Sequence, residues 1–239
     1  MRIDSDMPLL LTTHPFPAAT FGLWQIVEDE SFFRLDLPLS AEEETELASH
    51  HNALRRLEWL AGRWLLHKLT DAPERLPLAK DVFSKPFFPE NLDMACSLSH
   101  SRGRVGALIF TQHEAQRAVG CDIQVLTEKM RRIAPKFLRP EEAAAVEKQP
   151  SDSLQFEHLH LYWTAKESLY KAYGLKELDF RKHISVQALV WDGQRGKAVG
   201  KVEKAGYLQY FSLVFGKVNL PDEQVLIWAA CEAHGNEMP

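Results

Sequence analysis

A chain of 239 residues with 45% hydrophobic content can bury a core of its own, as one large domain or two small ones. A net charge of −5 argues against a general nucleic-acid binder. Three widely spaced cysteines, Cys96, Cys121 and Cys231, form no CxxC pair, which argues against a zinc site or a disulfide framework and for a reducing compartment.

The chain opens with acidic Met1–Asp6 and a short apolar run, Leu9-Leu10-Leu11, too short for the core of a signal peptide, so a cytoplasmic location is expected. Phe21–Val27 reads as a strand. Ser40 with Glu43 three residues on reads as a helix start, and Leu47, Leu54, Leu57, Leu60, Trp64 and Leu65 recur at helical spacing, predicting one long helix over 41–69. Pro73, Pro77, Pro86 and Pro89 punctuate a loop that carries Lys85. Met94–Leu98 and Val105–Thr111 read as strands joined by a polar turn, Ser99–Gly103.

Ala118–Ile123 predicts another strand, with Asp122 where it surfaces. Pro135 and Pro140 break the helical region that follows, and Pro140 suits the first turn of a helix over Glu141–Lys148. Ser153–Tyr173 predicts a helix stopped by Gly174, and strands follow near 184–191, 207–215 and 224–231. The two halves repeat one coarse order, which suits an α+β fold of two lobes, 1–115 and 116–239.

Chemistry concentrates in Val119-Gly120-Cys121-Asp122-Ile123-Gln124 and Tyr162-Trp163-Thr164-Ala165-Lys166-Glu167-Ser168-Leu169-Tyr170-Lys171. An isolated Asp122 would be a cap or an ion-pair partner. Glu167 alone would be a helix-surface acid paired with Lys171, worth ~0.3–0.5 kcal/mol. Together, two carboxylates from different elements can hold Mg²⁺, a cation that prefers hard oxygen donors. Lys166 and Lys171 can carry phosphate charge as compact point charges. Residues 129–139 hold five cations and no acid, either a solvated helix face or a docking patch for an acidic partner.

These two motifs resemble those of the 4′-phosphopantetheinyl transferases, in the larger monomeric class that includes the surfactin- and enterobactin-activating enzymes. The family pattern is a Gly-x-Asp-x-Glu strand end followed by a Trp-x-x-Lys-Glu-x-x-x-Lys helix. The similarity extends upstream to Arg55-Arg56-Leu57-Glu58-Trp59-Leu60-Ala61-Gly62-Arg63, Lys85-Pro86-Phe87 and Ser99-His100-Ser101.

The resemblance implies a pseudo-dimer of two similar α/β lobes with coenzyme A in the cleft between them. It implies Mg²⁺ bound by Asp122 and Glu167, with Gln124 replacing the family's third acid. Transfer would run from coenzyme A to a serine of an acidic acyl or peptidyl carrier protein, with Asp122, Glu167 and Lys171 at the chemistry. Arg55, Arg63, Lys85, Ser99, His100, Lys166 and Lys171 would bind coenzyme A, His100 at the 3′-phosphate. Ser84 stands where the family's Gly-Lys-Pro loop has its glycine. Arg131, Arg132, Lys136, Phe137, Leu138 and Glu142 would meet the carrier, although Glu142 equally suits its helix dipole. Two rival readings are a metal-dependent phosphohydrolase or nuclease, and a carrier-binding module without catalysis.

Overall fold

The computed structural model describes residues 9–111 and 118–235; the acidic start at Met1–Asp6 lies outside them. The chain divides into two compact units. One takes in the described residues of 1–81 and 86–115; the other takes in 82–85 and the described residues of 116–239.

In the first unit, strand β1 (Leu9–Thr13) leads to β2 (Ala19–Gln25) and then to helices α1 (Glu30–Leu35), α2 (Ala41–Ser49) and α3 (Ala53–Leu69). A short β3–β4 pair (Ala79–Lys80, Pro86–Phe87) precedes β5 (Ala95–Ser101) and β6 (Arg104–Phe110). The sheet is antiparallel in the order β1-β2-β6-β5. Leu60, Ala61, Trp64 and Leu65 of α3 share a core with Trp24, Val105, Ala107 and Ile109.

The single helix expected over 41–69 is two helices. Ser40 caps α2 in the expected way, with a reciprocal bond from its own amide to Glu43. The backbone then turns extended at His50, and Asn52 begins α3 by accepting the Arg55 amide on its side chain. The apolar spacing runs across this break, which is why periodicity did not reveal it.

The second unit runs β7 (Val119–Val125), α4 (Lys129–Phe137), α5 (Pro140–Glu147), α6 (Asp152–Tyr173), β8 (Ile184–Trp191), β9 (Arg195–Lys204), β10 (Tyr207–Asn219) and β11 (Val225–Gly235). Its antiparallel order is β7-β11-β10-β9-β8, so among the described residues β7 pairs with β11 alone. Leu161, Ala165 and Leu169 of α6 pack with Leu213, Phe215, Ile227 and Ala229 of the sheet. Pro140 opens α5, and Gly174 closes α6 at φ 74, where an L side chain is strained. Strand β9 was not expected; its Lys and Gly residues hide a buried alternation of Ala198, Gly200 and Val202. The architecture is α+β, and among the described residues no helix is long and apolar enough to cross a membrane.

Candidate active site

The site begins where β7 meets α6. A Cβ on Gly120 would lie 2.0 Å from the Ser168 carbonyl oxygen and 2.8 Å from the Ala172 nitrogen, so only glycine lets helix and strand approach this closely. Alternation puts Asp122 and Gln124 on the same face of β7 as Gly120. Spacings of four, three and four place His160, Thr164, Glu167 and Lys171 along one stripe of α6. Asp122 and Lys171 are thereby brought together: Nζ donates to Asp122 Oδ1 at 2.7 Å and to the Cys121 carbonyl at 3.0 Å.

Charge at this point is unbalanced. Burial, and then the Asp122 carboxylate, push the Glu167 carboxyl up to about 7, with Lys171 only partly offsetting them. For Lys171 burial alone would lower the ammonium, but Asp122 foremost among its neighbours holds it above its ordinary value. Two largely hidden acids sharing one ammonium form a hard-oxygen donor set short of positive charge, which fits a divalent cation. Gln124 is half-buried and donates its side-chain amide to the Val125 carbonyl at 2.8 Å. Among the described residues no third acid, histidine or cysteine completes a cluster of three, so further ligands would have to come from an amide, water or substrate.

Lys166 requires a correction. It is fully buried, and Nζ lies 2.7 Å from the Phe137 carbonyl, 2.9 Å from that of Phe180, 3.1 Å from that of Ile184 and 2.7 Å from Glu142 Oε2. Those acceptors already use its three protons, which leaves none for a phosphate. Glu142 is corrected with it: at 1% exposure it also accepts from the Arg139 and Val186 amides and cannot meet a carrier. The pair is an ionic hub that ties α4, α5, α6 and β8 together. Phe137 is likewise interior, edge-on to Trp163 at 5.1 Å between ring centroids.

Arg132 and Lys136 are exposed, while Arg131 is half-buried, ion-paired with Glu128 and Asp152 and stacked on Phe156. Beside them lies a groove of about 460 Å³ floored by Ala134, Leu138, Ala143, Val146 and Leu159 and edged by Arg131, Arg139 and Arg181. Leu138 is only 5% exposed yet lines this groove, so the docking expectation narrows from the α4 surface to the groove edge.

Lys85 belongs to the second unit, where Nζ donates to the Ala172 carbonyl at 2.8 Å and its stem lies against Gly174. Ser84 adopts φ 71, a left-handed conformation that a glycine would take without strain.

In the first unit, Arg55 Nη1 and His100 Nδ1 lie 3.1 Å apart on the half-open faces of α3 and β5. The strand β5 extends through Ser101, so His100 lies on a strand and not in the turn. Ser99 therefore points to the opposite face and is 6% exposed; the structure does not bring it to His100. Arg63 is also corrected. Its guanidinium lies 3.4 Å above the Trp59 ring, pairs with Glu43 and Glu46, and is pushed by burial down to about 10. It holds α3 to α2 and has no exposed face for a phosphate.

Two residues carry more weight than the sequence assigned them. His160 is buried; its Nε2 accepts the Thr127 amide at 2.9 Å, so Nδ1 bears the proton and donates to the Phe156 carbonyl. It fastens α6 to the end of β7, and nothing in the sequence pairs it with Thr127. Glu58, buried on α3, faces His100 at 2.9 Å and accepts the Gly103 amide at 3.1 Å. Its only sequence signal is a position three residues after Arg55.

Residues 118–215 match the family model described as the 4′-phosphopantetheinyl transferase superfamily, a segment that contains Asp122, Glu167 and Lys171 and ends within β10. No curated protein matches the chain.

Proposed function

From a chain whose residues 118–215 form a domain of the 4′-phosphopantetheinyl transferase superfamily, we propose a cytoplasmic, monomeric enzyme of the larger, two-lobed class that modifies an acidic carrier protein. It moves the 4′-phosphopantetheine group of coenzyme A onto a carrier serine. The observation that carries this reading is the convergence of Asp122, Glu167 and Lys171 between β7 and α6.

The reaction is a displacement at phosphorus. The serine Oγ–P bond forms, the P–O bond inside the diphosphate breaks, and the oxygen that departs with 3′,5′-ADP keeps the electron pair. Asp122 and Glu167 would hold Mg²⁺, with Gln124 or a water beside them; when bound, it neutralises diphosphate charge. Glu167 stands beside Asp122 and Lys171, where one of its carboxylate oxygens could accept the serine proton. Lys171, about a quarter exposed, presents an ammonium to the leaving phosphate while Asp122 and the Cys121 carbonyl hold its other protons. Placement and electrostatics supply the acceleration, without a covalent enzyme intermediate.

Lys85, beside the C-terminal end of α6, and the Arg55–His100 pair are the residues proposed for the remaining phosphates of coenzyme A. The test is intact mass of an apo carrier protein after incubation with coenzyme A and Mg²⁺. A phosphopantetheine adduct on the serine supports the reading, and it should vanish with Asp122→Asn. Hydrolysis of nucleic acid or phosphodiesters without any carrier would favour the rival hydrolase.

A further inference from the structure

We propose that Glu58 is a positioning residue that assembles Arg55 and His100 into one anion site for the 3′-phosphate of coenzyme A, a proposal that rests on the transferase reading above. Glu58 is 8% exposed, yet its partners are a guanidinium and an imidazole whose side chains stay 48% and 41% exposed. Buried acids ordinarily meet buried donors. Here one carboxylate oxygen lies 2.9 Å from His100 Nδ1 and 3.8 Å from Arg55 Nη1.

An arginine and a histidine 3.1 Å apart would repel once the imidazole is protonated, and the carboxylate beneath them removes that penalty. The other Glu58 oxygen takes the Gly103 amide. That amide lies in the turn, with Arg102 at φ 51 and Gly103 at φ 75, that joins β5 to β6 and so fixes the strand end bearing His100. Burial alone would raise the Glu58 carboxyl, but His100 and the Gly103 amide bring it below its ordinary value, so it stays charged at neutral pH. With Nδ1 held, Nε2 is the nitrogen left for a ligand. A guanidinium and an imidazole held side by side over one buried carboxylate, both open to solvent, suit a phosphate monoester reached by the two together.

The experiment compares calorimetric binding of 3′,5′-ADP and 5′-AMP, two nucleotides that differ only in the 3′-phosphate, without metal or carrier. Wild-type protein should prefer 3′,5′-ADP by at least about tenfold, and Glu58→Gln should erase that preference while leaving 5′-AMP binding within about twofold. The amide side chain of that variant keeps a carbonyl oxygen able to accept the Gly103 amide, so a purely structural role predicts no change. His100→Gln should reproduce the loss if Glu58→Gln fails to fold.

In turnover, Glu58→Gln should raise KM for coenzyme A about tenfold without altering kcat or the KM for 3′-dephospho-coenzyme A. An unchanged nucleotide preference in Glu58→Gln, or no preference in wild type, overturns the proposal and leaves the transferase reading standing. Absence of the mass gain on a carrier overturns the transferase reading instead.

Discussion

Glu167 sits where its chemistry and the fold's stability disagree. Its carboxyl titrates near 7 in the folded protein against an ordinary 4.5, because burial and Asp122 both oppose its charge. For an acid raised on folding, the unfolded chain loses its proton first as pH rises. Stability is therefore lost between about 4.5 and 7, by on the order of 3 kcal/mol once the group is fully ionised. Glu167→Gln should raise the metal-free Tm at pH 8 by several degrees and have little effect at pH 4, while abolishing carrier modification. Added Mg²⁺ should raise the Tm of wild type and leave that of the variant unmoved. A Tm for Glu167→Gln at or below wild type at pH 8 would show that the acid is not penalised. Lys166, one residue earlier, behaves in the opposite way: its charge is matched inside the protein by Glu142, so removing it strands a buried carboxylate. Lys166→Met should destabilise by about 3–5 kcal/mol, read by urea denaturation.

At the scale of elements, α6 and β7 are fastened at two points with the carboxylates between them. At one end Gly120 admits the helix backbone, and a methyl there meets main-chain atoms that cannot yield, so Gly120→Ala should cost upward of about 3 kcal/mol and lower Mg²⁺ affinity in calorimetry. At the other end His160 accepts the Thr127 amide only while neutral. Burial favours the neutral form, chiefly against the Phe156 carbonyl and the Glu128 charge. Its proton affinity is lower folded than unfolded, so the stabilisation is full above 6.5 and is lost as pH falls towards the folded value. His160→Gln should flatten the drop in Tm between pH 7 and pH 5; a drop as steep as in wild type would remove His160 from that role.

Much of this element pair was legible in advance. The Trp163–Lys171 spacing, the Gly174 stop and the Asp122 strand end all follow from local pattern. What stayed hidden was long-range: Glu142 and Lys166 are far apart in sequence, each with a plausible surface reading, and only the tertiary fold closes them into a buried pair. Phe137 was misread for the same reason, since its cationic neighbours point outward while it turns in. The break at His50–Asn52 escaped because a cap is a single side-chain bond laid over an uninterrupted apolar spacing.

For the molecule as a whole, charge distribution decides how an acidic carrier would approach. The chain carries −5 overall, so its net charge opposes the approach of such a partner. Arg131, Arg139 and the exposed Arg181 edge the apolar groove of α4, α5 and α6, and Arg132 and Lys136 are exposed elsewhere on α4, so positive charge and a hydrophobic landing occur together in this region. Repulsion elsewhere and attraction here would orient the carrier before contact, an effect on encounter that salt weakens. Arg132→Glu combined with Arg181→Glu should raise KM for the carrier at least about tenfold and leave kcat and the KM for coenzyme A within about twofold. Raising ionic strength from about 50 to about 500 mM should slow wild type markedly and the double variant little, because at roughly 4 Å the Debye length no longer spans the approach. Equal salt dependence in the two proteins would place the carrier's landing surface elsewhere on the chain.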